Sequence, residues 1–288
     1  MRTLRDNTII RSLRCPVCGA DMSIRESASV SLCCNGPKTH CYDLASAGYV
    51  NLCKPGQSGG GDSKQAVRAR SDFLNKHYYR PVAEAICEAV RDYAQSDGLV
   101  IDAGCGEGYY SDMLASSGKS VLGIDISKFA TEAAAKRSGR EGRDNCFFAT
   151  ASVFEIPVFT SSASALTSVF APCAEEEFSR VLKDNGVLVV AWAGERHLLG
   201  LKKAIYDTAH VNTERADLPE KMEKLFETRV LYDISLDNNA DIMSLFSMTP
   251  YYWRTSVSDA EKLKGLSSLS TEVDIIISVY KNQKEAAQ

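Results

Sequence analysis

Short apolar runs of strand length alternate along most of the chain with stretches of helical spacing. The apolar runs cover residues 99–102, 121–124, 146–149, 166–171 and 187–193, and the helical stretches cover 109–116, 127–137 and 174–182. This alternation predicts a doubly wound α/β fold around a parallel sheet. A last apolar run at 274–280 predicts a strand that closes the sheet antiparallel, whereas the pattern at 195–250 predicts mostly helices.

Two helices are predicted before the first of these strands. Asp62 and Ser63 can cap a helix that runs to about Lys76, because short polar side chains accept hydrogen bonds from the first amides of a helix. Pro81 fits the first turn of a second helix, whose apolar face carries Val82, Ile86, Ala89, Val90 and Tyr93. The Gly- and Ser-rich composition of residues 54–64 is typical of a flexible linker. We therefore predict a small module at residues 1–53, a linker at 54–64 and a large α/β domain at 65–288.

The composition of the 288 residues is that of a globular protein, since 44% are hydrophobic and 24% are charged. No run of about 18 apolar residues is present to cross a membrane. The segment from Met1 to Arg14 carries four arginines but not the apolar stretch of a secretory signal. These features predict a cytoplasmic protein without a membrane partner.

The formal net charge of −4 hides an uneven distribution. The segment from Met1 to Arg80 contains 12 Lys and Arg against 6 Asp and Glu, a charge of +6, and the remainder carries −10. Because nucleic-acid affinity comes largely from cations placed near phosphates, the acidic average does not exclude an RNA partner. The candidate phosphate contacts all lie in the basic part of the chain: Arg11, Arg14, Arg25, Lys38, Lys64, Arg68 and Arg70.

Six of the ten cysteines lie between Met1 and Cys53, and the first two are separated by two residues. In such a C-x2-C pair two thiolates can bind one tetrahedral zinc ion. A module this short also gains folding energy from a metal. Without a secretory signal, reduced thiols are expected rather than a disulfide framework. The predicted ligands of a closed, structural zinc site are Cys15, Cys18, Cys34 and His40, with Cys33 and Cys41 as alternatives.

A glycine-rich segment, DAGCGEGYY at residues 102–110, follows the first predicted strand and opens the next helix. A dinucleotide fingerprint requires G-x-G-x-x-G/A, but Tyr109 stands where the third small residue would lie. The G-x-G-x-G pattern instead resembles the cofactor loop of class I S-adenosylmethionine (SAM) methyltransferases, in which Gly104 and Gly106 would let the backbone approach the cofactor. Asp125 ends the following strand, where a carboxylate can accept hydrogen bonds from ribose hydroxyls.

The sequence FAPC, residues 170–173, follows the fourth predicted strand. In class I methyltransferases this point faces the acceptor of the methyl group. The Asn/Asp-Pro-Pro-aromatic tetrad of exocyclic amino-group methylation is absent. A Pro-Cys pair here resembles cytosine-C5 RNA methyltransferases, whose Cys attacks the base. Cys173 therefore has three interpretations, as a nucleophile, as pocket lining or as a buried core thiol.

Seven motifs follow one another along nearly the whole chain: CPVC (15–18), HCYDLASAGYVNL (40–52), GDS (61–63), DAGCGEGYY (102–110), FAPC (170–173), ERHL (195–198) and MTPYYWR (248–254). This succession resembles the 23S ribosomal RNA guanine-N1 methyltransferases of the RlmA/RrmA type. The resemblance implies a class I SAM-dependent methyltransferase fold with a small N-terminal zinc module. It also implies methyl transfer from SAM to N1 of a guanine in a 23S rRNA hairpin. Members of the family include macrolide-resistance enzymes, and a homodimer is compatible with the family.

The resemblance also implies site residues. The family's zinc ligands fall on the same four residues that the spacing predicts, although the interval from Cys34 to His40 is longer here than in some relatives. The family's cofactor contacts fall on Tyr79, Gly106, Glu107 and His197, and Asp125 is expected at the ribose. One departure is His77-Tyr78, which stands where some relatives have Gly-His.

The implied reaction requires the acceptor nitrogen, the methyl group and the sulfur in line, and the N1 proton of guanine must leave. The sequence identifies no general base. The aromatic residues that could stack on an extruded guanine are Phe170, Trp192, Tyr251, Tyr252 and Trp253. Three alternatives stay open at this point: a C5-cytosine RNA methyltransferase that uses Cys173, a small-molecule methyltransferase with a structural zinc module, and a non-catalytic RNA-binding protein.

Overall fold

The computed structural model describes residues 4–26, 29–54, 56, 60–95, 98–213 and 218–284. Within these ranges no helix is both long and apolar enough to cross a membrane. A three-stranded antiparallel sheet near the N-terminus consists of β1 (Met22–Glu26), β2 (Val30–Cys34) and β3 (Cys41–Asp43). The remaining described strands join one larger sheet, which carries the crevice described below.

The larger sheet has eight strands. They are β4 (Tyr49–Asn51), β5 (Leu99–Ala103), β6 (Ser120–Asp125), β7 (Cys146–Thr150), β8 (Ala163–Val169), β9 (Leu182–Ala193), β10 (Glu223–Leu236) and β11 (Leu269–Lys281). Their order across the sheet is β10-β11-β9-β8-β5-β6-β7-β4. The strands from β4 to β9 pair in parallel, whereas β11 runs antiparallel to both β9 and β10. The predictions of a parallel sheet and of an antiparallel closing strand are confirmed.

Ten helices lie within the described residues. They are α1 (Asn7–Ser12), α2 (Lys64–Leu74), α3 (Arg80–Tyr93), α4 (Tyr109–Ser116), α5 (Lys128–Arg140), α6 (Glu175–Val181), α7 (Leu199–Ile205), α8 (Asn239–Ser247), α9 (Tyr251–Arg254) and α10 (Val257–Lys264). The Ser63 hydroxyl accepts a hydrogen bond from the Ala66 amide at 3.2 Å, and Pro81 lies in the first turn of α3. Both predicted helix starts are therefore confirmed.

Two apolar clusters cover the two faces of the sheet. One joins the sheet to α2, α3, α4, α5 and α8. The other joins it to α6 and to the N-terminal residues, of which Ile9 and Leu13 are fully buried. Strand β4 extends the sheet beyond β7, so the predicted N-terminal module shares both a core and a sheet with the rest of the chain. The boundary predicted at Cys53 stays a prediction.

One sequence prediction is wrong. Strand β10 occupies 14 residues inside the region 195–250, where mostly helices are expected. It lies at the edge of the sheet and, among the described strands, pairs only with β11. Many of its side chains are therefore exposed, and its apolar residues do not recur at a regular spacing. Its partner strand, β11, lies some thirty to sixty residues further along the chain. The spacing of apolar residues within a short segment does not reveal pairing over this distance. Part of the predicted linker, residues 55 and 57–59, lies outside the described residues.

Candidate cofactor crevice and metal centre

The carboxyl ends of β5, β6 and β8 lie side by side at one edge of the sheet, and open α/β sheets bind their ligands in a crevice at this position. The loop after β5 begins with Gly104, whose φ of +76° lies in the left-handed region. A Cβ atom built on Gly104 would lie 2.5 Å from the Cβ atom of Ala171, in the loop after β8. Only glycine therefore lets the two loops approach this closely. A side chain at residue 104 would collide with the loop after β8.

Asp125 holds the glycine loop in place. Its carboxylate accepts hydrogen bonds from the amides of Gly106 at 2.9 Å and of Ser127 at 2.8 Å. The amide of Gly104 donates to the Ile124 carbonyl at 2.8 Å, so the end of β6 shapes the loop that follows β5. Burial raises the pKa of Asp125, and the two backbone hydrogen bonds oppose this shift. The structure thus brings the predicted Gly104, Gly106 and Asp125 together.

Glu107 lies in the same loop, but its side chain is engaged within the protein. It is buried and forms an ion pair with Arg137 of α5, whose Nε donates to the carboxylate at 2.9 Å. Asp102, at the end of β5, is also buried and accepts hydrogen bonds from Ser111 and Thr167. Burial raises the pKa of Asp102 to about 6. Glu107 as a cofactor contact stays a prediction, since its carboxylate already has a partner.

Tyr79 and His197 meet at the crevice, although they are far apart in the sequence. The Tyr79 hydroxyl lies 3.3 Å from Nε2 of His197, and the Asp274 amide donates to Nδ1 at 3.3 Å. Nδ1 is therefore an acceptor, which places the ring hydrogen on Nε2 and directs it to Tyr79. Burial lowers the pKa of His197 to about 4, so the ring is neutral at pH 7. The hydroxyl hydrogen of Tyr79 remains available to a further acceptor.

Asp274 and Arg229 support this arrangement and were missed by the sequence analysis. Asp274 is fully buried, and the Arg229 guanidinium donates to both of its oxygens at 2.6 and 2.7 Å. The Asp274 carboxylate also accepts the amide of Arg196, next to His197. No motif signals the pair, because the two residues belong to different strands and meet only through the pairing of β10 with β11.

The five candidate stacking residues differ in placement. Trp192, Tyr251 and Tyr252 are half-buried and pack against the apolar clusters. Trp253 is 72% exposed and lies beside the start of α2. Phe170 is 48% exposed and directly precedes Ala171 at the crevice. Its ring is stacked on that of His197, with centroids 5.9 Å apart and planes inclined by 20°. Phe170 also has a φ of +53°, which is uncommon for an aromatic residue.

Cys173 lies beyond the crevice loop and before α6. Its side chain is half-buried and packs against the apolar cluster beneath α6. Of its three interpretations, this placement favours a thiol that packs at the edge of the core, and the role of Cys173 stays a prediction.

The four predicted zinc ligands form one cluster, in which all ligand atoms lie within 4.8 Å of one another. The Cys18 and Cys34 sulfurs are 3.6 Å apart, and Nδ1 of His40 lies 3.5 Å from the Cys34 sulfur and 3.6 Å from the Cys15 sulfur. A tetrahedral zinc ion with Zn–S bonds of about 2.3 Å and Zn–N bonds of about 2.0 Å separates its ligands by about 3.5–3.8 Å. The donor set and its spacing therefore fit zinc.

The two alternative ligands do not belong to this cluster. Cys33 and Cys41 face each other across β2 and β3 and form a disulfide. Neighbouring residues of a strand point to opposite faces, so Cys33 points away from the cluster when Cys34 points into it. Cys33 and Cys41 as ligands are thus wrong for this structure, and so is the expectation of reduced thiols for this pair. The other eight cysteines form no disulfide.

The crevice fits SAM by its chemistry. Gly104 and Gly106 have no side chains to block the backbone of the loop, and a carboxylate such as that of Asp125 can accept further hydrogen bonds from hydroxyl groups. A family model described as a methyltransferase domain matches residues 94–244, and the chain belongs to this methyltransferase family.

Three curated relatives extend the likeness over almost the whole chain. A 23S rRNA (guanine(748)-N(1))-methyltransferase of Streptomyces fradiae is 29% identical over 93% of this chain and 97% of its own. Two proteins provisionally named 23S rRNA (guanine-N(1)-)-methyltransferases are similarly related. The Micromonospora griseorubida protein is 28% identical over 94% of this chain and 96% of its own. YxjB of Bacillus subtilis (strain 168) is 29% identical over 92% of this chain and 95% of its own. The resemblance predicted from the sequence motifs is confirmed.

We predict that Gly104→Ala weakens binding of S-adenosylhomocysteine (SAH) at least about tenfold, because the added methyl group forces the two crevice loops apart. Isothermal titration calorimetry measures the affinity. Gly118→Ala is the matched control, since Gly118 has a φ of +86° but a Cβ there meets nothing within 4 Å. Equal SAH affinities of the two variants would contradict the assigned crevice.

Proposed function

We propose that this protein is a SAM-dependent methyltransferase that methylates N1 of a guanine in a 23S rRNA hairpin. The observation that carries the proposal is the crevice built by Gly104, Gly106 and Asp125, with the exposed ring of Phe170 at its mouth. The substrate is inferred from the relatives, which match 92–94% of the chain. SAM supplies a methyl group on a positively charged sulfonium. The protein's task is to hold the guanine edge in line with that methyl group.

Tyr79 and His197 line the crevice with side chains that carry no charge at neutral pH. A protonated imidazole would repel a cationic cofactor, and the low pKa of His197 prevents this at neutral pH. The Tyr79 hydroxyl, which receives the hydrogen of Nε2, presents its own hydrogen to an acceptor on a ligand. We propose that both residues position ligand groups and transfer no proton.

The direct test incubates the protein with SAM and unmodified 23S rRNA and analyses the nucleosides by mass spectrometry. We expect 1-methylguanosine, and primer extension should stop at one position because the N1 methyl group blocks base pairing. Cys173→Ser is expected to retain this activity, since Cys173 packs beside α6. If 5-methylcytidine appeared instead, or if the rRNA stayed unmethylated, the proposal would be wrong.

Phe170 is the best placed platform for the acceptor guanine. Its ring is stacked on that of His197, and the exposed part of the Phe170 ring is accessible to a nucleotide base. Stacking on an aromatic ring contributes about 1–3 kcal/mol per base, so Phe170→Ala should lower kcat/KM for RNA about 10- to 100-fold. We expect SAH affinity to be unchanged and Phe170→Tyr to retain most of the activity.

Phe226→Ala is the matched control for this prediction. Phe226 is 39% exposed and stacked on Tyr93, with centroids 5.5 Å apart, but it lies on the edge strand β10. Steady-state kinetics with varied RNA should show wild-type values for this control. A loss in Phe226→Ala as large as in Phe170→Ala would refute a specific stacking role.

We further propose that Cys15, Cys18, Cys34 and His40 bind one structural zinc ion that stabilises the basic N-terminal module for RNA binding. Cys34→Ser should lower the zinc content from one ion per chain and reduce thermal stability, because four-ligand sites contribute folding energy. Inductively coupled plasma mass spectrometry measures the metal. The double variant Cys33→Ser/Cys41→Ser should keep its zinc. Full zinc occupancy in Cys34→Ser would exclude this ligand set.

A further inference from the structure

A pair of opposite charges lies over the glycine loop. Asp62 and Arg70 form an ion pair, and their side chains are 37% and 27% exposed. The Arg70 Nη1 atom lies 3.5 Å from the position that a Cβ on Gly106 would occupy. The guanidinium therefore faces the loop at the centre of the crevice.

Contacts with the turn after β6 hold the backbone at Asp62 in this place. The Ser127 hydroxyl donates to the Asp62 carbonyl at 2.7 Å, which fixes the start of α2 against the turn after β6. Gly61 packs so tightly on Ile126 that a Cβ would lie 2.8 Å from its side chain. The charges of Asp62 and Arg70 also act on Asp125, whose pKa is raised mainly by burial. The two carboxyl groups and the guanidinium thus lie close together.

Arg68, on the same helix, differs from Arg70. Its side chain is 84% exposed. Its Nε atom lies 3.7 Å from Oδ2 of Asp72, whose side chain is 58% exposed. Both arginines are among the phosphate contacts that the basic sequence predicts. The structure separates them, because only Arg68 faces solvent, whereas Arg70 faces the cofactor crevice.

We propose that Asp62 and Arg70 bind the zwitterionic amino-acid end of the cofactor, with Arg70 on its carboxylate and Asp62 on its ammonium. This inference rests on the proposed function and adds two residues to the cofactor site. A guanidinium binds a carboxylate through paired, charge-assisted hydrogen bonds. Adenosine carries no anion, and the sulfonium is a cation, so the carboxylate is the one group of SAM that matches Arg70.

The exchange of partners leaves no charge unpaired. Without ligand, Asp62 and Arg70 neutralise each other, and with the ligand each pairs instead with the opposite charge of the amino-acid end. Both side chains are partly exposed, so the exchange avoids the cost of a buried, uncompensated ion. The ion pair therefore keeps both groups in place before the cofactor binds.

The test compares two ligands by titration calorimetry with the full-length protein. SAH contains the amino-acid end, whereas 5′-methylthioadenosine lacks it. We expect Arg70→Gln and Asp62→Asn each to weaken SAH binding about 10- to 100-fold, the usual effect of losing a charged hydrogen-bond partner. Both variants should bind 5′-methylthioadenosine like the wild type, and Arg70→Lys should lose less SAH affinity than Arg70→Gln. Arg68→Gln, the matched control, should bind both ligands normally.

Two results would overturn the inference. One is an equal loss of affinity for both ligands in Arg70→Gln, which would indicate a distorted crevice. The other is wild-type SAH affinity together with weaker RNA binding, which would make Arg70 a phosphate contact. If Arg70→Gln selectively lost SAH affinity but the wild type methylated no guanine, this inference would be supported and the proposed substrate would be wrong.

Discussion

The carboxylate of Asp125 is the constraint on which the crevice depends. It accepts the amides of Gly106 and Ser127, so one side chain fixes both the glycine loop after β5 and the turn after β6. The Ser127 hydroxyl donates a hydrogen bond to the Asp62 carbonyl, and the Asp62 side chain forms an ion pair with Arg70. The Arg70 guanidinium lies beside Gly106 of the glycine loop. These contacts form a closed ring around the crevice. The glycine loop and the start of α2 are therefore both positioned, directly or through Ser127, by the Asp125 carboxylate.

The N-terminal residues are joined to this site through the sheet. Helix α1 packs beneath β5 and β6, the strands whose carboxyl ends form the crevice, and β4 continues the sheet beside β7. Burial of Ile9 and Leu13 in the shared core resists movement of the Cys/His cluster relative to the crevice. An RNA bound to the basic N-terminal module would consequently meet the crevice in a fixed orientation. The module can then contribute to the choice of nucleotide without contacting the base.

Much of the crevice could be predicted because its signals are local. The apolar periods mark the strands, and the glycine loop and Asp125 follow directly from strand ends. The orientation of Arg70 could be predicted only in part. Residues 68 and 70 lie about 200° apart on a helix, so they must face opposite sides, but the sequence does not say which side meets the crevice. The pairs Arg229–Asp274 and Arg137–Glu107 could not be predicted, because each depends on elements that meet only in the folded chain.

The distribution of charge resolves a conflict between the two ligands of the proposed reaction. RNA is a polyanion that requires cations, whereas the reactive end of SAM is a cation that positive charge would repel. The excess of basic residues lies between Met1 and Arg80, while the crevice contains Asp62, Asp125 and a neutral His197. Arg70, the cation that faces the crevice, is paired with Asp62. The charge of −10 on residues 81–288 is thus compatible with an RNA substrate, because the excess of basic residues lies in another part of the chain.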